Sequence, residues 1–398
     1  MNRRSFVQTL GAGAVGLTAL EFPLRAAAQT VGTARPAAMP GATLPAAIRI
    51  GSNENPYGPG PSAIEAIGKT ALGGNRYPGQ WTQTLTNTIA QKFSIPPEYV
   101  MLSGGSGDVL RAVVYTYASK TKPFVTGLPS YESPTRSAQH VGAPLREVAL
   151  TSELRMNLPA MAAKALGAGL VYICNPNNPT STVVPLDELT AFIEKVVATS
   201  PRTSILVDEA YFEYADHPGF GTVVPLVAKY PQLIVARTFS KIHAMAGVRV
   251  GYAIAQPKVL EAIKEHHSAS GMSVMSMAAA TASLLDLDNM EKNRSLNREV
   301  RTVTVAAFEK AGYTVAASDA NFLFVNIKRD SRGFQEACRQ KGVQIGRAFP
   351  PMTTWARISI GTMEEMEQSI PVFMQVLGAA PIQTASLDHL DRLPNELT

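Results

Sequence analysis

The sequence predicts an α/β fold: a large domain with a mostly parallel sheet covered by helices, followed by a smaller α+β domain. The 398 residues are 45% apolar and 17% charged, enough to bury a substantial core in two domains. Nearly continuous apolar runs alternate with helix-length segments, which is typical of parallel strands buried on both faces. The runs lie at 99–103, 123–128, 169–175, 204–209, 232–237 and 248–255.

The first residues have the pattern of a twin-arginine signal peptide spanning 1–28. Arg3 and Arg4 precede a short apolar stretch, and small residues around Ala28 permit cleavage there. A membrane anchor or an ordinary amphipathic N-terminus is the alternative, but the stretch is too short to span a bilayer comfortably. Because no later segment reaches about 18 uninterrupted apolar residues, we expect an exported, periplasmic protein without stable membrane association.

Composition and periodicity divide the rest of the chain. Residues rich in Ala, Pro, Gly and Thr form a flexible tether, and an extended arm with turn formers follows it. Strand patterns that alternate with helical ones in the C-terminal third predict the smaller domain. We place the tether at 29–47, the arm at 48–61, the large domain at 62–256, the small domain at 257–379 and a loosely held tail at 380–398.

Polar and aromatic residues follow the predicted strands at their carboxyl ends. Five of the six runs lead into such turns: GGSGD, PSY, NPNNPTS, DEAY and RTFSK. Parallel sheets of this kind bind ligands beyond the carboxyl ends of their strands. We therefore expect the functional site at this edge.

The glycine turn 104–108 and the RTFSK stretch predict a phosphate site. Glycines let the backbone approach a ligand, and a helix opening near Asp108 presents free N–H groups. A plain turn with Asp108 as a helix cap is the alternative. Thr238 and Ser240 add hydroxyl donors, and Arg249 adds a guanidinium fork. The turn is neither a P-loop nor GxGxxG, so a dinucleotide is not favoured.

Asp208 ends an apolar run, so its carboxylate needs a cationic or proton-donating partner. A protonated pyridine nitrogen is one such partner. Tyr211 and Asn178 are placed to reach an oxygen on the same ring, and Tyr131 offers a stacking face. Taken singly, each of these residues is also compatible with a helix cap, a turn amide or a core tyrosine.

Lys241 lies among small, apolar and hydroxyl residues. A phosphate site, a stacking aromatic, a carboxylate for a pyridinium and a lysine together predict pyridoxal 5'-phosphate as cofactor. The Lys241 amine then forms the Schiff base and moves the substrate proton. If Lys241 were only a phosphate ligand, Asp208 would lack a partner.

These motifs resemble those of the fold-type I, pyridoxal-phosphate-dependent aminotransferases of class I/II, most closely a histidinol-phosphate aminotransferase-like branch. NPNNPT, VDEAY and RTFSK occur in that order, and the similarity runs from about residue 50 to about residue 375. The resemblance implies that Lys241 is the Schiff-base lysine, Asp208 the pyridine partner and Tyr131 the stacking aromatic, with Tyr211 and Asn178 at the ring hydroxyl. The residues it implies for the phosphate site are Ser106, Gly107, Asp108, Ser240 and Arg249.

The resemblance also implies groups around the substrate. Tyr77 resembles a tyrosine that reaches the phosphate in the partner subunit, which implies a homodimer. Arg357 resembles the arginine that clamps the substrate α-carboxylate. Tyr57 matches the arm that covers the substrate, and Arg347 lies where that branch has an arginine that recognises the side chain.

The predicted function is transfer of an amino group between an α-amino acid, or histidinol phosphate, and a 2-oxo acid. The alternatives are another carbanion reaction of the same cofactor, decarboxylation or racemisation, and a non-catalytic ligand-binding protein. The formal charge of +5, without a dense Lys/Arg cluster, does not favour nucleic acid. His243, His266 and His267 lack the spacing of a zinc site, so no metal is predicted.

Overall fold

A central sheet of seven strands organises the protein in a computed structural model that describes residues 47–267 and 271–379. The predicted signal peptide, nearly all of the tether and the tail lie outside the described residues. The strands in chain order are β1 Ile48–Ile50, β2 Val100–Ser103, β3 Phe124–Leu128, β4 Leu145–Ala149, β5 Leu170–Cys174, β6 Ser204–Asp208, β7 Leu233–Thr238, β8 Gly251–Ile254, β9 Thr314–Val315, β10 Phe322–Asn326, β11 Val343–Ile345 and β12 Trp355–Ser359.

The central sheet has the strand order β2-β8-β7-β6-β5-β3-β4. Strand β8 runs antiparallel to β2 and β7, and the other neighbouring pairs are parallel. Each of the six predicted runs overlaps one of these strands, and the mostly parallel α/β class is confirmed. The sequence did not predict β4, because this edge strand carries Arg146 and Glu147 and only Val148 in it is fully buried.

Eleven helices of the described residues connect and cover the strands. Several begin at conventional caps: Asp286 accepts the Asn289 N–H at 3.1 Å, and Thr362 forms a capping box with Glu365. Within these residues, no helix combines the length and apolar content needed to cross a membrane. The helices are α1 Pro61–Thr70, α2 Gly79–Phe93, α3 Ser106–Tyr117, α4 Glu132–His140, α5 Leu158–Ala165, α6 Leu186–Thr199, α7 Pro257–Lys264, α8 Val274–Leu285, α9 Leu287–Lys310, α10 Ser331–Gln340 and α11 Met363–Leu377.

The C-terminal part has its own antiparallel sheet, β12-β10-β9, and its own core. That core contains Phe308, Leu323 and Phe373, all fully buried. Strand β11 does not join this sheet but pairs in parallel with β1 of the N-terminal arm. The arm is therefore anchored beside the C-terminal part, which brings its next residues to the edge of the central sheet.

The larger core extends beyond the boundary predicted at residue 256. Leu260 of α7 and Met277 and Leu284 of α8 pack in the core of the central sheet. The smaller core consists of Ile50 from the arm and of residues from Val300 onwards. Helix α8 lies against α1 and α2. Helices α7 and α8, which lie within the range predicted for the small domain, therefore belong by their packing to the larger core, because their apolar residues are buried there.

Candidate active site

A cavity of about 360 Å³ opens at the carboxyl ends of β5, β6 and β7. It lies where the parallel-sheet rule predicts a site. Most of the residues predicted for the site line it, together with Ser52, Asn53, Cys174 and Phe349, which were not predicted. The predicted residues in its wall are Ser106, Gly107, Tyr131, Asn178, Asp208, Tyr211, Thr238, Ser240, Lys241, Arg249, Arg347 and Arg357.

Asp208, the last residue of β6, is 2% exposed. Its Oδ2 accepts the Tyr172 hydroxyl at 2.9 Å, and its Oδ1 accepts the Ala210 N–H at 3.2 Å. Burial raises the pKa of the Asp208 carboxyl to about 6, although the bond from Tyr172 lowers it. None of the ion pairs among the described residues includes Asp208. This buried carboxylate therefore has room for a cationic partner in the cavity.

Tyr211 and Asn178 meet at the same wall. The Tyr211 hydroxyl oxygen accepts bonds from the side-chain amides of Asn53 at 3.1 Å and Asn178 at 3.4 Å. Burial raises the pKa of Tyr211, so its phenol stays protonated at neutral pH. Because its oxygen only accepts in these bonds, its own O–H is available to donate into the cavity.

Arg357 lies in β12 and is 9% exposed. Its Nη1 donates to Asn178 Oδ1 at 2.8 Å and its Nη2 to the Gly51 carbonyl at 2.6 Å, while its buried Nε has no partner in the part of the chain described. Burial lowers the pKa of Arg357 to about 10, which leaves it cationic at neutral pH. A buried guanidinium without a carboxylate partner fits an anionic group of a ligand.

The phosphate side of the cavity is formed by the start of α3 and the loop after β7. Gly105 has φ 101°, and a side chain there would collide with the Arg249 guanidinium, so only glycine fits. Thr238 Oγ1 donates to Ser240 Oγ at 3.0 Å. The helix N-terminus of Ser106, two hydroxyls and one guanidinium make this end suited to an anion.

Lys241 follows β7 and projects into the same cavity. Its Nζ donates to the backbone carbonyls of Asn53 at 3.0 Å and Ser52 at 3.4 Å. Burial and, second to it, the charge of Arg357 lower the pKa of the Lys241 amine to about 8. A substantial share of this amine is therefore neutral near pH 8, as a nucleophile or a base requires.

Three predicted residues do not line the cavity. The Asp108 carboxylate pairs with Arg111 at 2.8 Å, and the Asp108 N–H donates to the Gly105 carbonyl. Tyr57 is 38% exposed on the arm, and Tyr77 is 99% exposed.

Asn53 and Tyr172 are two residues with contacts in the site that the sequence did not predict. Asn53 has φ 53°, a left-handed conformation that asparagine tolerates, and the turn-rich GSNENPYGP was its only sequence signal. Tyr172 lies within the apolar run of β5, where it is indistinguishable from a core aromatic. Only the pairing of β5 with β6 puts its hydroxyl against Asp208.

His243, two residues after Lys241, has a packing role. His243 Nδ1 lies 2.8 Å from Ser283 Oγ, and its ring lies 4.7 Å from that of Phe239. Burial lowers the pKa of His243 to about 4, which keeps it neutral. The described residues contain no group of three or more His, Cys, Asp or Glu side chains arranged to hold a metal ion.

Residues 45–372 match the family described as aminotransferase class I and II. The chain is 32% identical over 333 residues to a histidinol-phosphate aminotransferase of Symbiobacterium thermophilum, covering 83% of this chain and 91% of that one. It is 34% identical over 337 residues to an aromatic amino acid aminotransferase of Rhodococcus opacus, covering 82% and 89%.

A solved structure of similar fold is the histidinol-phosphate aminotransferase of Sinorhizobium meliloti in complex with pyridoxal-5'-phosphate. It has a TM-score of 0.78 and 27% identity, covering 83% of this chain and 91% of that one. The fold, the cavity and these relatives confirm the predicted pyridoxal-phosphate-dependent aminotransferase function. The chain belongs to the class I and II aminotransferases.

Proposed function

We propose that the cavity beside Lys241 binds pyridoxal phosphate and carries out transamination of an α-amino acid with a 2-oxo acid. One observation carries this assignment: the buried Asp208 carboxylate, which forms no ion pair with any residue that the structure describes, shares a cavity with the buried Lys241 amine of lowered pKa. The Asp208 carboxylate would hold the pyridinium nitrogen of the cofactor, and the neutral amine of Lys241 would hold its aldehyde carbon until the substrate amine replaces Lys241 there. When bound, the cofactor supplies an electron-withdrawing ring that stabilises negative charge at the substrate Cα.

The remaining wall residues orient the cofactor. Tyr211 donates its free O–H and Asn178 its amide toward the ring hydroxyl, and Tyr131 stacks on the ring face. The helix N-terminus and hydroxyls at the other end of the cavity hold the phosphate, with Arg249 as the charged group. The residues proposed for that end are Ser106, Gly107, Thr238, Ser240 and Arg249.

Lys241 and Arg357 act on the substrate. Arg357 binds the α-carboxylate through its guanidinium fork, since its Nε has no hydrogen-bond partner within 47–267 and 271–379, and its Nη1 and Nη2 are held in place by Asn178 and Gly51. Lys241 Nζ takes the proton from the substrate Cα and returns it during transfer, because its pKa of about 8 suits a base near neutral pH. Tyr57 on the arm covers this end of the cavity.

Two further features support a homodimer with Tyr77 reaching the phosphate of the partner subunit. Tyr77 is 99% exposed, and Leu72 nearby is 94% exposed. Leu285 and Leu287, at the junction of α8 and α9, are 66% and 58% exposed. Exposed large apolar side chains just after α1 and at the end of α8, two helices that pack together, are typical of a surface that a second copy covers.

We also propose that the protein is exported to the periplasm by the twin-arginine route. The support is Arg3 and Arg4 with the short apolar stretch and small residues up to Ala28. This route suits a protein that binds its cofactor before transport.

The test of the active-site proposal is borohydride reduction of cofactor-loaded protein, followed by digestion and mass spectrometry. We expect the cofactor mass on the peptide that contains Lys241, its loss in Lys241→Ala, and its retention in Lys195→Ala, a control at an exposed lysine. Attachment to another lysine contradicts the proposal.

The second readout is the fate of an amino acid such as L-phenylalanine. Formation of its 2-oxo acid with transfer of the amino group to the cofactor supports transamination. Release of carbon dioxide or loss of chirality without a 2-oxo acid contradicts it in favour of decarboxylation or racemisation.

A further inference from the structure

Arg347, in the cavity wall, is already engaged by its own chain. Its Nη2 lies 2.8 Å from Glu132 Oε1, at the start of α4. Its Nη1 donates to the Ala348 carbonyl at 2.8 Å, and its guanidinium carbon lies 4.1 Å from the centroid of the Phe349 ring. One of its amino groups is thus paired with a carboxylate, and one face is covered by an aromatic ring.

Glu132 is held in this position from two further sides. Arg136 Nη2 donates to its other oxygen at 2.6 Å, one turn along the same helix. As the first residue of α4, Glu132 also lies at the positive end of the helix dipole. These contacts hold the Glu132 carboxylate next to Arg347.

The pair lies beside the region where the substrate must sit. Arg347 and Phe349 line the same cavity as Lys241 and Arg357. Arg357 has Phe349 at 4.9 Å from its guanidinium carbon, and its pKa is affected in opposite directions by Arg347 and Glu132. A substrate with its amine at Lys241 and its carboxylate at Arg357 therefore directs its side chain toward walls that include Phe349 and Arg347.

We propose that Glu132 is a specificity-determining residue that occupies Arg347 and thereby selects amino acids with uncharged, aromatic side chains over those that carry a phosphate or a second carboxylate. An anionic side chain has to displace Glu132 from Arg347 and is then repelled by it. An aromatic side chain has no such cost and packs on Phe349. The inference rests on the proposed function, because it uses Arg357 as the carboxylate site.

The test measures binding without turnover. Two analogues that lack an amino group, and therefore cannot react, are titrated calorimetrically into cofactor-loaded protein. They are 3-phenylpropionate, with an uncharged aromatic end, and glutarate, with a second carboxylate. The variants are Glu132→Gln, Arg347→Met and the double variant. Glu188→Gln is the matched control, because Glu188 forms a 2.7 Å pair with Arg155 at comparable exposure elsewhere.

We expect wild type to bind 3-phenylpropionate more tightly than glutarate. Glu132→Gln should tighten glutarate binding about tenfold, the low end for a charge-assisted hydrogen bond because the pair is partly exposed. The gain should vanish in the double variant and be absent in Glu188→Gln, while 3-phenylpropionate affinity should change by less than about twofold.

Two results overturn the inference: preference of wild type for glutarate, or unchanged glutarate affinity in Glu132→Gln. Neither result bears on attachment of the cofactor to Lys241, which is scored separately by borohydride reduction. Failure of this inference and failure of the proposed function are therefore distinguishable.

Discussion

Asp208→Asn should stabilise the cofactor-free protein while weakening the loaded one. The substitution is nearly isosteric: the amide oxygen of asparagine can accept the Ala210 N–H, and its NH2 group can donate to the Tyr172 hydroxyl oxygen, which donates to Asp208 in the wild type. It removes the negative charge that is buried at the end of β6. Without the cofactor, that charge lowers the free energy of unfolding, because no ion pair among the described residues compensates it.

The magnitude follows from the pKa of the carboxyl. Burial raises the pKa of Asp208 from 3.8 to about 6. A difference of one in pKa between folded and unfolded states corresponds to about 1.4 kcal/mol, so the charge costs about 3 kcal/mol once both states are ionised. Because the folded pKa is the higher one, this destabilisation is absent below pH 3.8, where Asp208 is protonated in both states, and it reaches its full value as the pH rises through about 6.

The assay is urea unfolding of the cofactor-free proteins, at one protein concentration, near pH 5 and near pH 8. We expect Asp208→Asn to be more stable than wild type by about 3 kcal/mol near pH 8 and by about half as much near pH 5. With saturating pyridoxal phosphate the order should reverse, because asparagine cannot pair with a protonated ring nitrogen. An equal advantage at both pH values, or no reversal with cofactor, refutes this reasoning.

Three other predictions concern the substrate, the dimer and export. Arg357→Ala should lower kcat/KM for α-amino acids by a factor that corresponds to about 2–4 kcal/mol of activation free energy, because a charge-assisted pair is lost, and cofactor attachment should stay intact. Unchanged kcat/KM contradicts that role. Tyr77→Phe should weaken cofactor retention. Dimers of one Tyr77→Phe subunit and one Lys241→Ala subunit should regain activity, since one of their two sites then has both native residues. Failure to regain activity argues against donation of Tyr77 across the interface. Replacing Arg3 and Arg4 by lysine should leave the protein in the cytoplasm on fractionation, whereas export of that variant contradicts a twin-arginine signal.

The apolar runs predicted the central sheet because strands buried on both faces leave a strong local signal. The same rule placed Asn178, Asp208 and Lys241 together, since each follows a neighbouring parallel strand and such strands end at one edge. Chain order alone thus determined the core of the cofactor site. Exposed β4, with its charged residues, left no such signal.

Contacts between distant segments were decided by the tertiary structure. The pairing of β1 with β11 brings Asn53 to Tyr211, 158 residues away, and the sequence contains nothing that specifies this pairing. The Glu132–Arg347 pair joins α4 to the loop after β11, and Asp108 turns instead to its neighbour Arg111. Periodicity and turn residues report only the local environment of each segment, whereas the partner of a charged side chain depends on which segments packing brings within about 4 Å.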